Sequence, residues 1–162
     1  PAAAKTMAVL AQKPGIYGMI GGQVVDVERT GQPLEADVLN FIYTNKTSAL
    51  IQCAMMIGAI LAGAEQKAVA AVESAADKIG IAFQIQDDIL DVTGSPETLG
   101  KPVGSDEKNE KTTYVTLMGP EAAGRRVSEL SMEALGILED MGLSEKNPFL
   151  KRLILWLIHR NK

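Results

Sequence analysis

Phe83-Gln84-Ile85-Gln86-Asp87-Asp88-Ile89-Leu90-Asp91 is the stretch on which the fold and the chemistry of this chain turn. It lies inside Gln66 to Val92, a run of helix-forming composition with Gly80 as its only breaker. In helical register Gln84, Asp87, Asp88 and Asp91 stand at i, i+3, i+4 and i+7, on one face. Asp87 and Asp91 are then one turn apart, with β-carbons separated by about 6 Å. Two carboxylates at that distance repel by about 0.7 kcal/mol in water and about 3 kcal/mol at an effective dielectric constant of ~20. Ile85, Ile89 and Leu90 put the helix in a packed setting, where a cation offsets the repulsion. Taken alone, the triad has a plainer alternative, an exposed acidic face that carries nothing.

The candidate ligands Asp87, Asp88 and Asp91 offer only oxygen, which selects a hard cation. Magnesium takes one or two carboxylates and completes its octahedron with water and phosphate oxygens. Calcium fits less well, since no twelve-residue loop of alternating oxygen ligands is present. Zinc and copper lack partners, because the chain has one histidine, His159, and one cysteine, Cys53. The single cysteine also rules out an internal disulfide and reads as a small buried hydrophobe.

Outward from this helix, the remaining segments also read as helices. Ala3 to Gln12 ends at the breaker Lys13-Pro14-Gly15, and Tyr17 to Glu28 follows in spite of Gly18, Gly21 and Gly22. Each interior glycine costs about 1 kcal/mol relative to alanine, so a close backbone or ligand approach is expected there. Glu35 to Tyr43 is short. Lys46 to Ala64 is rich in small residues, and its seventeen uncharged residues from Ser48 reach only the lower edge of a membrane span. A core helix enclosed by others is the expectation, with Lys46-Thr47 at its N-terminal dipole, where an anion is favoured. Gly94 to Lys111 is a charged, Gly- and Pro-rich loop. Thr112 to Met118, Pro120 to Asp140 and Pro148 to Arg160 complete an all-α, single-domain bundle over residues 1–162. In the last helix Phe149, Leu150, Leu153, Trp156 and Leu157 form the expected apolar stripe.

Of the 162 residues 46% are apolar, which argues against disorder, and a formal charge of −4 leaves no footprint for nucleic acid. No secretory pattern opens the sequence, which suggests a cytoplasmic protein. The few cations placed to meet a phosphate are Lys46, Lys101 and Lys111. A net acidic chain holds a phosphorylated ligand through such lysines together with bridging metal ions.

Five segments, in order, resemble the trans-isoprenyl diphosphate synthases, the polyprenyl synthetase family of farnesyl and geranylgeranyl diphosphate synthases. They are Gly18-Met19-Ile20-Gly21-Gly22-Gln23 with Asp26, Lys46-Thr47, Phe83 to Asp91, Gly100-Lys101-Pro102-Val103-Gly104-Ser105-Asp106, and Lys111-Thr112-Thr113-Tyr114. Leu153 to Arg160 also looks like the closing helix of the family. The family carries two aspartate-rich motifs, and this chain has only the one similar to the second. The sequence therefore resembles the C-terminal portion of a synthase, an incomplete helical bundle of the isoprenoid synthase type.

The resemblance implies a magnesium-dependent prenyltransferase that joins an allylic diphosphate to isopentenyl diphosphate. It implies metal ligation by Asp87 and Asp91 with Asp88 in support, and diphosphate contacts from Lys46, Lys101 and Lys111. Asp106 is expected to reach a metal-bound water. Thr47, Gln84 and the Lys46 carbonyl present neutral dipoles to a carbocation. Gln23 and Asp26 are expected to line the same cavity, with Phe83 in its wall and Met19, Met55 and Met56 as fillers. His159 reads as a surface residue. The implied partners are an N-terminal half and a second copy in a homodimer. A non-catalytic regulatory subunit and a class I terpene cyclase are the alternatives.

Overall fold

Every regular element among the described residues is a helix. The computed structural model describes residues 1–94, 104 and 111–160, without the side chains of 144, 158 and 159. In order the elements are α1 (Ala2–Gln12), α2 (Met19–Glu28), α3 (Ala36–Ile42), a π-helical turn (Tyr43–Ser48), α4 (Ala49–Leu61) and α5 (Gln66–Thr93). They continue as α6 (Tyr114–Met118), α7 (Pro120–Asp140), α8 (Leu143–Lys146) and α9 (Pro148–His159). Long α5 is the axis, with α4 and the π turn on one side and α7, α6 and α9 around the rest. Ala75 and Ala134 are fully buried where α5 meets α7. Small side chains there let the two helix backbones approach closely. One core cluster joins Leu39, Ile42, Ile85, Val115, Val127 and Leu130, and a second joins Ile79, Leu135, Leu138 and Ile154. Full burial of a side chain such as Ile85 contributes about 1.5–3 kcal/mol.

The structure corrects three expectations. The helices read as Glu35 to Tyr43 and Lys46 to Ala64 are one continuous helical path. Its middle turn is widened, with the Ala49 N–H bonded to the Thr44 carbonyl five residues back. Lys46-Thr47 therefore has no free helix N-terminus, and the dipole argument for an anion does not apply there. Second, α4 is not enclosed all round, since Leu50 and Leu61 are exposed. Third, the stripe expected on α9 is split: Phe149, Leu153 and Trp156 are exposed, Leu150 and Leu157 are half-buried against the core, and Ile154, outside the stripe, is the buried residue. That helix is apolar on most of its circumference, so periodicity alone did not select the packed face.

The glycines meet the close approaches their cost required. A β-carbon on Gly22 would lie 2.4 Å from the Lys46 backbone nitrogen, and one on Gly80 would lie 2.4 Å from Ser48 Cα. Gly80→Ala is expected to destabilise the protein by about 1–3 kcal/mol, the cost of overpacking against backbone. An unchanged melting temperature would contradict this contact. Cys53 is buried, and that burial pushes its thiol pKa up against an opposing pull from Lys13. This fits an inert apolar role.

Candidate active site

The π turn and α5 run side by side, and a ladder of polar contacts joins them. The Thr47 hydroxyl donates to Gln84 Oε1 at 2.8 Å, and Gln84 Nε2 makes a long contact of 3.5 Å to Asp88 Oδ1. The Tyr43 hydroxyl donates to the other Asp88 oxygen. Tyr43 and Thr47 of the π turn thus both meet α5, and π turns are frequent at functional sites. Beside this ladder opens a cavity of about 290 Å3. Asp26 of α2, Lys46 and Thr47 of the π turn, Gln84, Asp87 and Asp88 of α5, and Lys111 to Thr113 supply its polar lining. Leu34, Leu39, Ile42 and Tyr43 supply the apolar part.

Two ammonium groups converge on one carboxylate. Lys46 Nζ is 2.6 Å and Lys111 Nζ 3.6 Å from Asp26 Oδ2. Their side chains keep about a third of their exposure, 34% and 32%, so both remain reachable from solvent. Asp26 screens the repulsion between them and holds them where an anionic ligand in the cavity would meet both. Gln23 stands one turn earlier on α2, half-buried and outside the cavity lining, so the pair suggested by its spacing with Asp26 is split.

The three aspartates of α5 occupy different settings. Asp87 lines the cavity, and the Arg160 guanidinium reaches it at 3.0 Å. Asp88 and Asp91 are buried, at 4% and 2% exposure. Among the described residues no three His, Cys, Asp or Glu side chains come together in a group that could hold a metal ion. Lys101 and Asp106 lie outside the described residues.

Tyr43 lines the cavity and was not among the expected site residues. Tyr43 and Tyr114 stack at 5.3 Å with a 41° tilt, and the Tyr114 hydroxyl donates to Asn40. Burial raises the Tyr114 pKa above its ordinary value. The Leu34 N–H donates to Thr112 Oγ1 at 3.1 Å, which ties the residues just before α6 to those before α3. Tyr114 closes the quoted Lys111-Thr112-Thr113-Tyr114 segment and was legible there. Tyr43 carried no signal, because a π turn has no periodicity of its own. Arg160 also covers the Phe83 ring, 4.0 Å from its centroid.

The chain is similar in sequence and in fold to known proteins. The chain is 40% identical over 155 residues to the farnesyl diphosphate synthase of Escherichia coli (strain K12), covering 94% of this chain and 52% of that protein. It is 40% identical over 145 residues to the chloroplastic geranylgeranyl pyrophosphate synthase of Capsicum annuum, covering 89% of this chain and 39% of the relative. The chain thus spans about half the length, or less, of these two curated relatives. Among solved structures, a Helicobacter pylori geranyltransferase complexed with magnesium and isoprenyl diphosphate superposes with a TM-score of 0.79. That pair is 30% identical, over 97% of this chain and 51% of the other. The Pyrococcus horikoshii geranylgeranyl pyrophosphate synthetase gives 0.81 at 21% identity, over 98% of this chain and 59% of the other, a likeness of fold. The polyprenyl synthetase family model matches residues 3–140, a span that takes in every side chain lining the cavity, and the chain belongs to that family.

Proposed function

We propose that this chain forms one wall of a prenyltransferase site that joins an allylic diphosphate to isopentenyl diphosphate. The observation that carries the reading is the single cavity into which Lys46, Lys111, Thr47, Gln84 and Asp87 all open. Lys46 and Lys111 exchange Asp26 for the allylic diphosphate and neutralise charge as the carbon–oxygen bond breaks and its electron pair leaves with the diphosphate. Thr47 Oγ1 and Gln84 Oε1, held together at 2.8 Å, present oxygen dipoles to the allylic cation. Neither is nucleophilic enough to capture it. The isopentenyl double bond attacks the cation, and the departing diphosphate takes the proton then lost. Lys101 is proposed as a further diphosphate contact, and Gln23 as a residue that supports Asp26 from the preceding turn.

Magnesium fits the donor set, which is oxygen throughout and opens to the cavity at Asp87. Asp87 and Asp91 would hold it, with Asp88 in support. When bound it supplies positive charge against the leaving group. The exposed apolar faces support a covering partner: Ile20, Val24 and Val27 follow one stripe of α2 at 45%, 47% and 61% exposure. A second half of the synthase, present in the longer relatives, is proposed to cover it, within a cytoplasmic homodimer. No helix among the described residues is long and apolar enough to cross a membrane.

Incubating the complete enzyme with magnesium, an allylic diphosphate and isopentenyl diphosphate, then analysing products by mass spectrometry, tests the proposal. A product longer by one isoprene unit, formed only with both substrates, is expected. Hydrocarbons released from the allylic diphosphate alone would instead identify a cyclase.

A further inference from the structure

We infer that Asp77 is a positioning residue: acting through Ser48 and Gln52, it fixes the register of the π turn against α5 and hence the placement of Lys46 and Thr47. The inference rests on the function proposed above, which gives those two side chains their work. Asp77 does not line the cavity, so any effect it has on the reaction is transmitted.

One stripe of α5 makes the connection. Asp77, Gly80, Gln84 and Asp88 recur at intervals of three and four, and each meets the π turn or the first turn of α4. Asp77 Oδ1 accepts from the Ser48 hydroxyl at 2.9 Å and from Gln52 Nε2 at 2.8 Å. Gln52 Nε2 also lies 3.1 Å from Ser48 Oγ, and the Ser48 hydroxyl lies 3.1 Å from the Asp77 carbonyl. Gly80 lies against Ser48 Cα, and Thr47, the next residue, is held by Gln84. Lys13 secures the far end, donating to Gln52 Oε1 and, at 2.6 Å, to Glu73. Ser48 and Gln52 are buried at 0% and 4% exposure. A satisfied buried polar network adds little stability over well-packed apolar residues of the same volume, but it admits one register only. A π turn needs that constraint, because its wide hydrogen-bond spacing relaxes readily to α-helix. Relaxation by one residue would rotate Lys46 and Thr47 away from the cavity.

The test is a double-mutant cycle in the complete enzyme, pairing Asp77→Ala with Thr47→Val. Asp77→Ala is expected to lower kcat about ten- to hundredfold, the scale of a small misplacement at the reacting centre. KM for isopentenyl diphosphate is expected to hold. Asp77→Asn keeps the Oδ1 acceptor and restores kcat. The double variant is slower than Thr47→Val by less than the factor Asp77→Ala costs alone, the remainder being the displaced Lys46, and hydrogen exchange of amides 44–48 quickens in Asp77→Ala. Ser48→Ala removes only a hydroxyl and carries the same cycle if Asp77→Ala fails to fold. Additive effects in the cycle, or equal loss in Asp77→Asn and Asp77→Ala, would overturn the inference. An enzyme that makes no prenyl product defeats the proposed function instead. The exchange measurement then decides by itself whether Asp77 fixes the turn.

Discussion

Replacing Asp87 by Asn in the complete enzyme is expected to cut turnover about 10²–10³-fold, comparable to losing one preorganised group that stabilises developing charge. Stability is expected to fall modestly. Asp87 retains 35% exposure but its partner Arg160 only 11%, so removing the carboxylate charge leaves a largely buried guanidinium less well paired, at a cost of about 1–3 kcal/mol. The two effects separate by scale: circular dichroism stays near wild type and the melting temperature falls modestly, while prenyl transfer collapses. Manganese, as a spectroscopic substitute for magnesium, is expected to bind more weakly when followed by its electron paramagnetic resonance signal. Turnover retained in full would remove Asp87 from the metal site.

Lys46→Gln is expected to give the next largest loss. Its ammonium sits 2.6 Å from Asp26 Oδ2, within easy reach of a diphosphate in the same cavity. A hydrogen bond to a charged group contributes about 1.5–3 kcal/mol, which is roughly ten- to hundredfold in kcat/KM for the allylic diphosphate. Lys111→Gln is expected to cost less, since Lys111 stands 3.6 Å from the same carboxylate and its lost charge is partly covered by Lys46. Steady-state kinetics with each substrate varied in turn will show this order. A Lys46→Gln enzyme with unaltered kcat/KM would mean that the diphosphate lies elsewhere.

Much of the site was legible before any coordinates. Spacing put Gln84, Asp87, Asp88 and Asp91 on one face of one helix because 3.6 residues per turn is a local property. Two of them, Gln84 and Asp88, do meet the π turn as a ladder. The glycines around α2 signalled close backbone approach because their cost in a helix demands a return, whereas the approach at Gly80 of α5 was not anticipated. Tyr43, Asn40 and Arg160 were not legible. Each joins the site through a partner more than 40 residues away in sequence, and no local period encodes such a pairing.

The chain's own sequence determined that it is helical, where its breakers fall, which residues carry oxygen donors and cations, and which family motifs it contains. All of these follow from residue type and short-range spacing. The tertiary structure decided that Lys46 and Thr47 sit in a widened turn rather than at a helix start. It also decided that Asp26 gathers two lysines, and that Ile154 rather than Trp156 is the buried residue of α9. Those outcomes depend on which neighbour a side chain meets when helices dock, and docking is governed by shape and burial summed over the whole bundle.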